Sequence, residues 1–377
     1  MKRKVVVSVI NDLVSDQRVH KSCITLVNQG WDVRLVGRLL KNSLELPDRP
    51  YKSHRMKLLF TTGPLFYAEY NIRLFLLLMF SKASVFHSND LDTLPANFLA
   101  SKIRRKSLAY DSHEYFTEVP ELVTRPFTQN VWRKIEGLIL PRMAEMFTVS
   151  EPIATLFRDK YNIKVRLLRN MPRLALTSSK KQFQGADFNL PDKKIILLQG
   201  AGINIDRGME ELIESMLFVD NAVLVIAGSG DVVPLLKEQT IKLKLQDKII
   251  FFDKMPFEKL HGLTKLSYMG CSLDEATNIN YELSLPNKLF DYIHAGVPIL
   301  ATNLVEVEKI IKEFNVGLII KDISPKSIAA SINSLLNDEQ KREEYHQNCL
   351  KARLELNWEN EEKELISCYN SFDSIGQ

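Results

Sequence analysis

Long apolar runs are scarce in this chain. Its most apolar stretch, Leu74 to Phe80, is far below the roughly 20 residues that a membrane-spanning helix needs; it reads as a core helix. The N-terminus, MKRKVVVSVI, passes from a basic cluster straight into a strand pattern, and its apolar run is too short for a signal peptide, so none is expected. Cysteine is sparse as well. Cys23, Cys271, Cys349 and Cys368 show no CxxC or Cys/His spacing, which excludes a zinc site or a disulfide framework read from sequence and fits a reducing cytoplasm. No sign of charge dominates: 50 Lys and Arg stand against 46 Asp and Glu, a net of +4. Because the two signs are interleaved rather than gathered in stripes, dedicated nucleic-acid binding is not expected.

What is present is a repeated alternation of strand and helix. With 377 residues of ordinary globular composition, the chain is long enough for two domains, each with its own core. Val5 to Ile10 is a β-branched strand run, and Asp16 suits the cap of a helix with Val19, Cys23, Leu26 and Val27 on one face, ending at Gly30. Further strands are expected at Val33 to Val36, Ser84 to His87, Ser107 to Tyr110 and Met146 to Val149, with helices at Thr93 to Ser101 and Glu151 to Tyr161. Such alternation predicts βαβ units and a parallel sheet covered on both faces. The polar stretch from Pro172 to Lys194 reads as a linker. Alternation then resumes with strands at Ile195 to Leu198, Ala222 to Ala227, Ile249 to Phe252 and Tyr268 to Leu273. A helix carrying Met209, Leu212, Ile213, Met216 and Leu217 follows the loop GAGINIDRG. Domain bounds of 1–171, 172–194 for the linker and 195–356 follow from this pattern, with 357–377 set apart as a tail. Two doubly wound domains in tandem are expected to hold a ligand in the cleft between them, at the carboxyl ends of the strands.

The most informative segment is Ser284 to Thr302, SLPNKLFDYIHAGVPILAT. Ser284 suits a helix cap, Pro286 a first turn, and Gly296 a C-terminal stop before a short buried strand at Val297 to Ala301. The amides at Leu285 and at Asn287 to Leu289, with the positive end of the helix dipole, would form an anion pocket to which Lys288 adds a full charge. Asp291, one turn on at i+3, would place a carboxylate where it can accept hydroxyls. An ordinary amphipathic helix with a surface Lys and Asp is the alternative reading of the same residues.

Four segments in this order, DQRVHKSCITLVNQGWDV, FHSNDLDTLPANFLA with LAYDSHEYFTEVPEL, GAGINIDRGMEELIESM, and SLPNKLFDYIHAGVPILAT, carry a resemblance to the retaining glycosyltransferases of GT-B fold, family 4 in particular, over nearly the whole chain. The tail NWENEEKELISCY is similar to that family's closing helix, which returns toward the first domain. The resemblance implies two Rossmann-like domains facing a cleft, an acceptor site in the first, a nucleotide-sugar site in the second, and closure that excludes water. It implies that Arg207 and Lys288 hold the diphosphate in place of a metal, so that no metal or other cofactor is expected. By the same resemblance Asp291 holds the ribose and His113, beside Glu114, reaches the transferred sugar as the third catalytic residue. Asp16, Arg18 and His20 lie where acceptor or donor phosphates approach, and the Gly228 to Gly230 turn lies near the nucleotide. The implied partners are a nucleotide-sugar donor and a glycan or lipid-linked acceptor. The expected location is cytoplasmic, from the cysteine usage, with contact at the inner face of the membrane as the alternative that a basic and apolar patch leaves open.

The chain departs from the family pattern in two places. Of the family's two glutamates, the second is Asp291 and the first counts back to Leu283, with Glu282 one residue off; this is read as a subgroup feature. The first loop, NDLVSDQR, lacks the usual glycine pair, and Arg18 is expected to substitute. Asp90-Leu91-Asp92 is a DxD triplet, read with Asp92 as a helix cap rather than as a metal site. His87 and His294 are read as structural, and Lys193-Lys194 as a solvated edge. Arg104 to Lys106 reads the same way, or with Phe60, Leu65 and Phe66 as a weak membrane-facing patch. Two other classes stay open: an epimerase of similar fold that acts on a nucleotide sugar without an acceptor, and a non-catalytic nucleotide-sugar-binding protein.

Overall fold

The structure, a computed structural model, describes residues 3–14, 16–174, 183–204 and 207–374. Residues 175–182 of the expected linker therefore lie outside the described residues. The chain divides into two compact units, Met1–Asn170 with Glu361–Gln377, and Met171–Asn360.

In the first unit, strands β1 (Lys4–Asp12), β2 (Asp32–Leu39), β3 (Lys52–Lys57), β4 (Val85–Asn89), β5 (Ser107–Ser112), β6 (Glu145–Thr148) and β7 (Lys164–Leu167) form one sheet in the order β3-β2-β1-β4-β5-β6-β7. Every pairing is parallel. The continuous β-branched run of β1 is buried on both faces because helices cover both sides of the sheet. On one side, α2 (Gly63–Phe80) and α3 (Leu94–Arg104) set Phe66, Tyr70, Leu74, Ala96 and Ala100 against Val6, Ile10 and Phe86. The other side holds α1 (Gln17–Asn28), capped as expected by the Asp16 carboxylate accepting from the Val19 amide. Three more helices, α4 (Pro120–Val123), α5 (Pro126–Ile139) and α6 (Glu151–Tyr161), complete the connections. β3 and β7 were not expected from sequence. Both are edge strands with polar composition, KSHRMK and KVRL, so neither shows the apolar run of a central strand.

The second unit repeats the plan. Strands β8 (Lys194–Gly200), β9 (Ala222–Gly228), β10 (Ile249–Phe252), β11 (Met269–Ser272), β12 (Ile299–Thr302) and β13 (Gly317–Ile320) run in the order β10-β9-β8-β11-β12-β13, again all parallel. Helices α7 (Met209–Ser215), α8 (Val233–Lys242), α9 (Phe257–Lys265), α10 (Ile279–Glu282), α11 (Asn287–Ala295), α12 (Val305–Phe314), α13 (Pro325–Leu336) and α14 (Glu339–Ala352) connect them. Met209, Leu212, Ile213 and Met216 enter the core, whereas Leu217 is exposed. In each unit the chain leaves its first strand on one side and its fourth on the other, so the strand order reverses at β1/β4 and at β8/β11. Such reversal points splay the connecting loops and open a crevice at the strands' carboxyl ends.

The closing helix α15 (Trp358–Ser374) belongs to the first unit from Glu361 onward. Tyr369 sits fully buried with its hydroxyl 2.8 Å from His87 Nδ1 and meets Trp31 edge-on at 5.1 Å. Glu361 accepts from the Arg169 amide at 2.7 Å and from Arg169 Nε and Nη2 at 3.0 and 2.6 Å. Three expectations are corrected here. Leu74 to Phe80 is only half core: Leu74 and Leu78 are buried, but Leu76 and Phe80 face solvent, since a helix lying on a sheet buries one side only. Asp92 does not cap α3, whose cap position is Thr93 with no side-chain bond; its carboxylate is instead buried and held in the protonated direction, by burial first and then by Asp90. Arg104 is no solvated edge, because Nη1 donates to the Leu78 and Ser81 carbonyls at the end of α2. Glu361→Ala is predicted to destabilise the chain by about 2 kcal/mol, the loss of a mostly buried charge-assisted set. Urea unfolding should show a lowered midpoint, with Glu361→Gln retaining more stability than alanine.

Candidate functional site

The second unit's switch point is built around a carboxylate. Asp274 follows β11 by two residues and is almost fully buried. Its Oδ1 lies 2.8 Å from Arg207 Nη1 and its Oδ2 lies 2.8 Å from Lys288 Nζ. Ser272 Oγ donates to Oδ2 at 3.1 Å, and Thr302 Oγ1 donates to the Asp274 carbonyl at 2.6 Å. Burial alone would raise the Asp274 pKa, but Lys288 and then Arg207 outweigh it and hold the carboxylate below its ordinary range. One anion thus gathers two cations from segments 81 residues apart, leaving a net positive charge. Arg207 comes from the loop after β8 and keeps 24% of its side chain exposed; its guanidinium also stacks on the Tyr281 ring at 4.7 Å. Tyr281 is positioned by the short helix α10, where Asn278 accepts from the Tyr281 amide.

Helix α11 brings the remaining residues to the same place. It begins at Asn287 with Pro286 at the cap position and no capping side chain, so no side chain satisfies its first-turn donors. Ser284 is not the cap: its hydroxyl donates to the Tyr281 carbonyl and closes α10 instead. The Leu289 amide is also withdrawn from the expected anion pocket, because it donates to the Pro286 carbonyl at 3.1 Å. Leu285 precedes the helix and is buried, while Asn287 is exposed. Gly296 stops the helix in a left-handed conformation, φ 73°, as expected. Tyr292 anchors it, donating towards the Leu197 carbonyl in the middle of β8 and the Cys271 carbonyl in β11. Lys288 thereby reaches Asp274 behind β11, while Asp291, one turn on, accepts from Gln199 Nε2 at 3.2 Å beside β8. Glu282 is exposed on α10.

Glycines let the loops approach this point. Gly208 has φ 62° and its missing Cβ makes room for Leu273. Gly228, φ 146°, and Gly230 sit so close to Gly200 and Ile203 that a side chain at either would collide with backbone. The turn is tied by the Ile203 amide donating to the Ser229 carbonyl at 3.0 Å.

At the first unit's switch point the structure brings together Arg18, Asp111, His113 and Asp90. Arg18 donates from Nε and Nη2 to the two Asp111 oxygens at 3.0 and 2.5 Å, with both side chains buried. Of the three Arg18 guanidinium nitrogens, Nη1 has no hydrogen-bond partner among the described residues. His113 Nδ1 lies 3.2 Å from Asp90 Oδ2, and Nε2 lies 3.4 Å from Asp111 Oδ2 and 3.2 Å from Asn89 Oδ1. Asp90 also accepts from the His113 amide at 2.9 Å and adopts φ 59°, a left-handed conformation that is uncommon outside glycine. Burial pulls the His113 pKa down, yet Asp90 and Asp111 outweigh it and push it up to about 10. Asp111 goes the other way: burial would raise it, but Arg18 and His113 hold it well below the carboxylate range. Glu114 is exposed next to His113, and Asp16 serves the α1 cap. His87 and His294 are fully buried and hydrogen-bonded to Tyr369 and to the Leu356 carbonyl, as structural histidines are.

Asp274, Tyr281 and Gln199 were not foreseen. An acid directly after a buried strand was the available signal for Asp274. Gln199 lies within β8 and Tyr281 within a four-residue helix, where no spacing rule points to them. His113 yields a pH prediction. Its folded pKa lies above the ordinary 6.5, so its stabilising contribution is complete below about pH 6.5 and is lost as pH rises through about 10. Unfolding free energy measured in urea should fall across that window, and His113→Gln should flatten the fall.

Residues 180–352 match the family model described as glycosyl transferases group 1. An uncharacterized glycosyltransferase of Methanocaldococcus jannaschii is 29% identical over 182 residues, 47% of this chain and 45% of that protein. The chain thus spans about half the length of this curated relative. Sucrose-phosphate synthase from Thermosynechococcus elongatus superposes with a TM-score of 0.80 at 15% identity, covering 99% of this chain and 100% of that one. HepE of Anabaena, in complex with UDP-glucose, gives a TM-score of 0.75 at 12% identity over 98% and 99% of the two chains. Residues 180–352 of the second unit are thus similar to the glycosyl transferases group 1, and the chain has the GT-B fold.

Proposed function

We propose that the chain transfers a sugar from a nucleotide-diphosphate sugar to a glycan or lipid-linked acceptor, with retention. The observation that carries this reading is the convergence of Arg207 and Lys288 on Asp274 at the β8/β11 switch point, beside the uncapped start of α11. When the glycosidic bond to the diphosphate breaks, negative charge grows on the leaving phosphate. Two fixed cations and the first-turn amides of a helix are suited to stabilise that charge without a metal ion, because they are already oriented before the charge appears. Asp274 holds the two cations in place and offsets their mutual repulsion in the absence of ligand. Asp291, fixed by Gln199, is assigned to the ribose hydroxyls, and Glu282 to the loop beside them.

His113 takes a restricted part in this reading. With both ring N–H groups directed at carboxylate or amide oxygens of the protein, an imidazolium supplies positive charge to the transferred sugar rather than a hydrogen bond. It is not a general base, since no lone pair is left to accept a proton. Acceptor deprotonation then falls to another group, in keeping with a retaining route in which the departing phosphate oxygen itself can take the proton.

Calorimetric titration with UDP, GDP and ADP tests the donor half. Arg207→Ala and Lys288→Ala are each predicted to weaken diphosphate binding by about tenfold or more, the loss of one charge-assisted contact, and Asp291→Asn by less. Unchanged affinity in all three variants would remove the assignment. Release of nucleoside diphosphate from UDP-, GDP- and ADP-sugars should depend on added acceptor glycan or lipid-linked sugar. Epimerised sugar nucleotide formed without any acceptor would point to an epimerase of the same fold, and binding without turnover to a non-catalytic protein.

A further inference from the structure

The helices on the α2 side of the first sheet each carry a second apolar stripe, pointing away from the core. On α2 the buried side is Phe66, Tyr70, Leu74 and Leu78, and the opposite side exposes Leu65, Ile72, Leu76 and, at 85%, Phe80. α3 exposes Leu99 and Ile103, four residues apart. α5 buries Trp132 and Ile139 but exposes Phe127, at 84%, with Val131 and Leu138. Single exposed apolar residues are ordinary on a soluble protein; stripes at helical spacing on three helices, of which α3 packs against both of the others, are not.

Charge says what covers them. Segments 63–82, 94–106 and 125–142 contain ten Lys and Arg against only Glu69 and Glu136. Their excess of eight positive charges is twice the net +4 of the whole chain, so the remainder of the molecule is net negative. The basic character continues round the end of α2. There Lys4, Arg34, Lys52 and Lys82 line, with Phe80, a cavity of about 320 Å³ at the amino ends of β1 to β3. Among the described residues, the only acid lining that cavity is Asp32. No described helix is long and apolar enough to cross a membrane.

We propose that this face of α2, α3 and α5 seats the protein on the surface of an anionic phospholipid bilayer. The exposed Leu, Ile and Phe side chains enter the headgroup boundary while the surrounding cations meet lipid phosphates. A second copy of the chain is a poorer occupant, because two such faces brought together repel each other through the same excess of positive charge. The patch expected from sequence is thereby redrawn: Phe66 is buried in the core and Arg104 is engaged at the end of α2, whereas Leu65 belongs to the stripe. The docking surface stands on this face alone and does not depend on the donor site.

Flotation of the full-length chain tests it, with vesicles of phosphatidylcholine alone and with about one third phosphatidylglycerol. The chain should float with the anionic vesicles, stay below with the neutral ones, and be released by high salt. Leu76→Gln/Phe80→Gln and, separately, Lys82→Glu/Lys134→Glu should each lower the bound fraction's partition coefficient by about tenfold with unchanged thermal unfolding and nucleotide affinity. Absence of flotation with anionic vesicles would overturn the proposal. So would flotation equal to wild type in both double variants, or concentration-dependent self-association abolished by Leu76→Gln/Phe80→Gln without vesicle binding.

Discussion

One buried carboxylate organises the second unit's switch point. Asp274 sits where β11 ends, and each of its oxygens holds a cation delivered by a different element, Arg207 from the loop after β8 and Lys288 from the first turn of α11. Alone, a carboxylate at that depth would be neutral, because burial disfavours its charge. With both partners it stays ionised, and each cation is in turn held by an anion it cannot leave cheaply. The glycines at 208, 228 and 230 allow the loops to pack close to the strand ends, and Tyr292 fixes the pitch of α11 against β8 and β11. Displacing Asp274 would release Arg207, Lys288 and the start of the helix together.

The first unit uses the same chemistry with different bookkeeping. Arg18 and Asp111 form a bidentate pair almost without exposure, so most of the arginine's donors are consumed inside the fold. His113 receives the remainder of that carboxylate and the whole of Asp90's attention. A network in which one imidazolium sits between two carboxylates balances only while the ring is protonated, which is why the histidine titrates so far above its ordinary range. Two switch points, one in each unit, therefore present fixed positive groups at the carboxyl ends of their strands. One is a pair of side-chain cations and the other a ring held charged by its neighbours.

Much of this was legible in the sequence, for identifiable reasons. Central strands such as Val5 to Ile10 and Ala222 to Ala227 are buried on both faces and so read as unbroken apolar runs, and helix ends at Asp16 and Gly296 carry specific stop and start chemistry. Edge strands β3 and β7 escaped because their pairing needs no apolar face. The outer stripe of α2 escaped because a run such as LFLLLMF does not say which of its residues meet the sheet. Asp274 escaped because its partners lie 67 residues before it and 14 after it, a relation that only the parallel sheet order creates. Ser284 and Leu289 went the other way: each had the right residue type near a helix start, and local hydrogen bonds to Tyr281 and Pro286 used the groups elsewhere.

Arg207 and Lys288, on the proposed function, are held ready for a nucleoside diphosphate. A crystal structure of the full chain grown with UDP, GDP or ADP measures this directly. Phosphate oxygens should lie within hydrogen-bonding distance of the Arg207 guanidinium and Lys288 Nζ, at the amino end of α11, with Asp291 facing the ribose. A diphosphate bound elsewhere, with both cations still closed on Asp274 and no phosphate beside them, would contradict it.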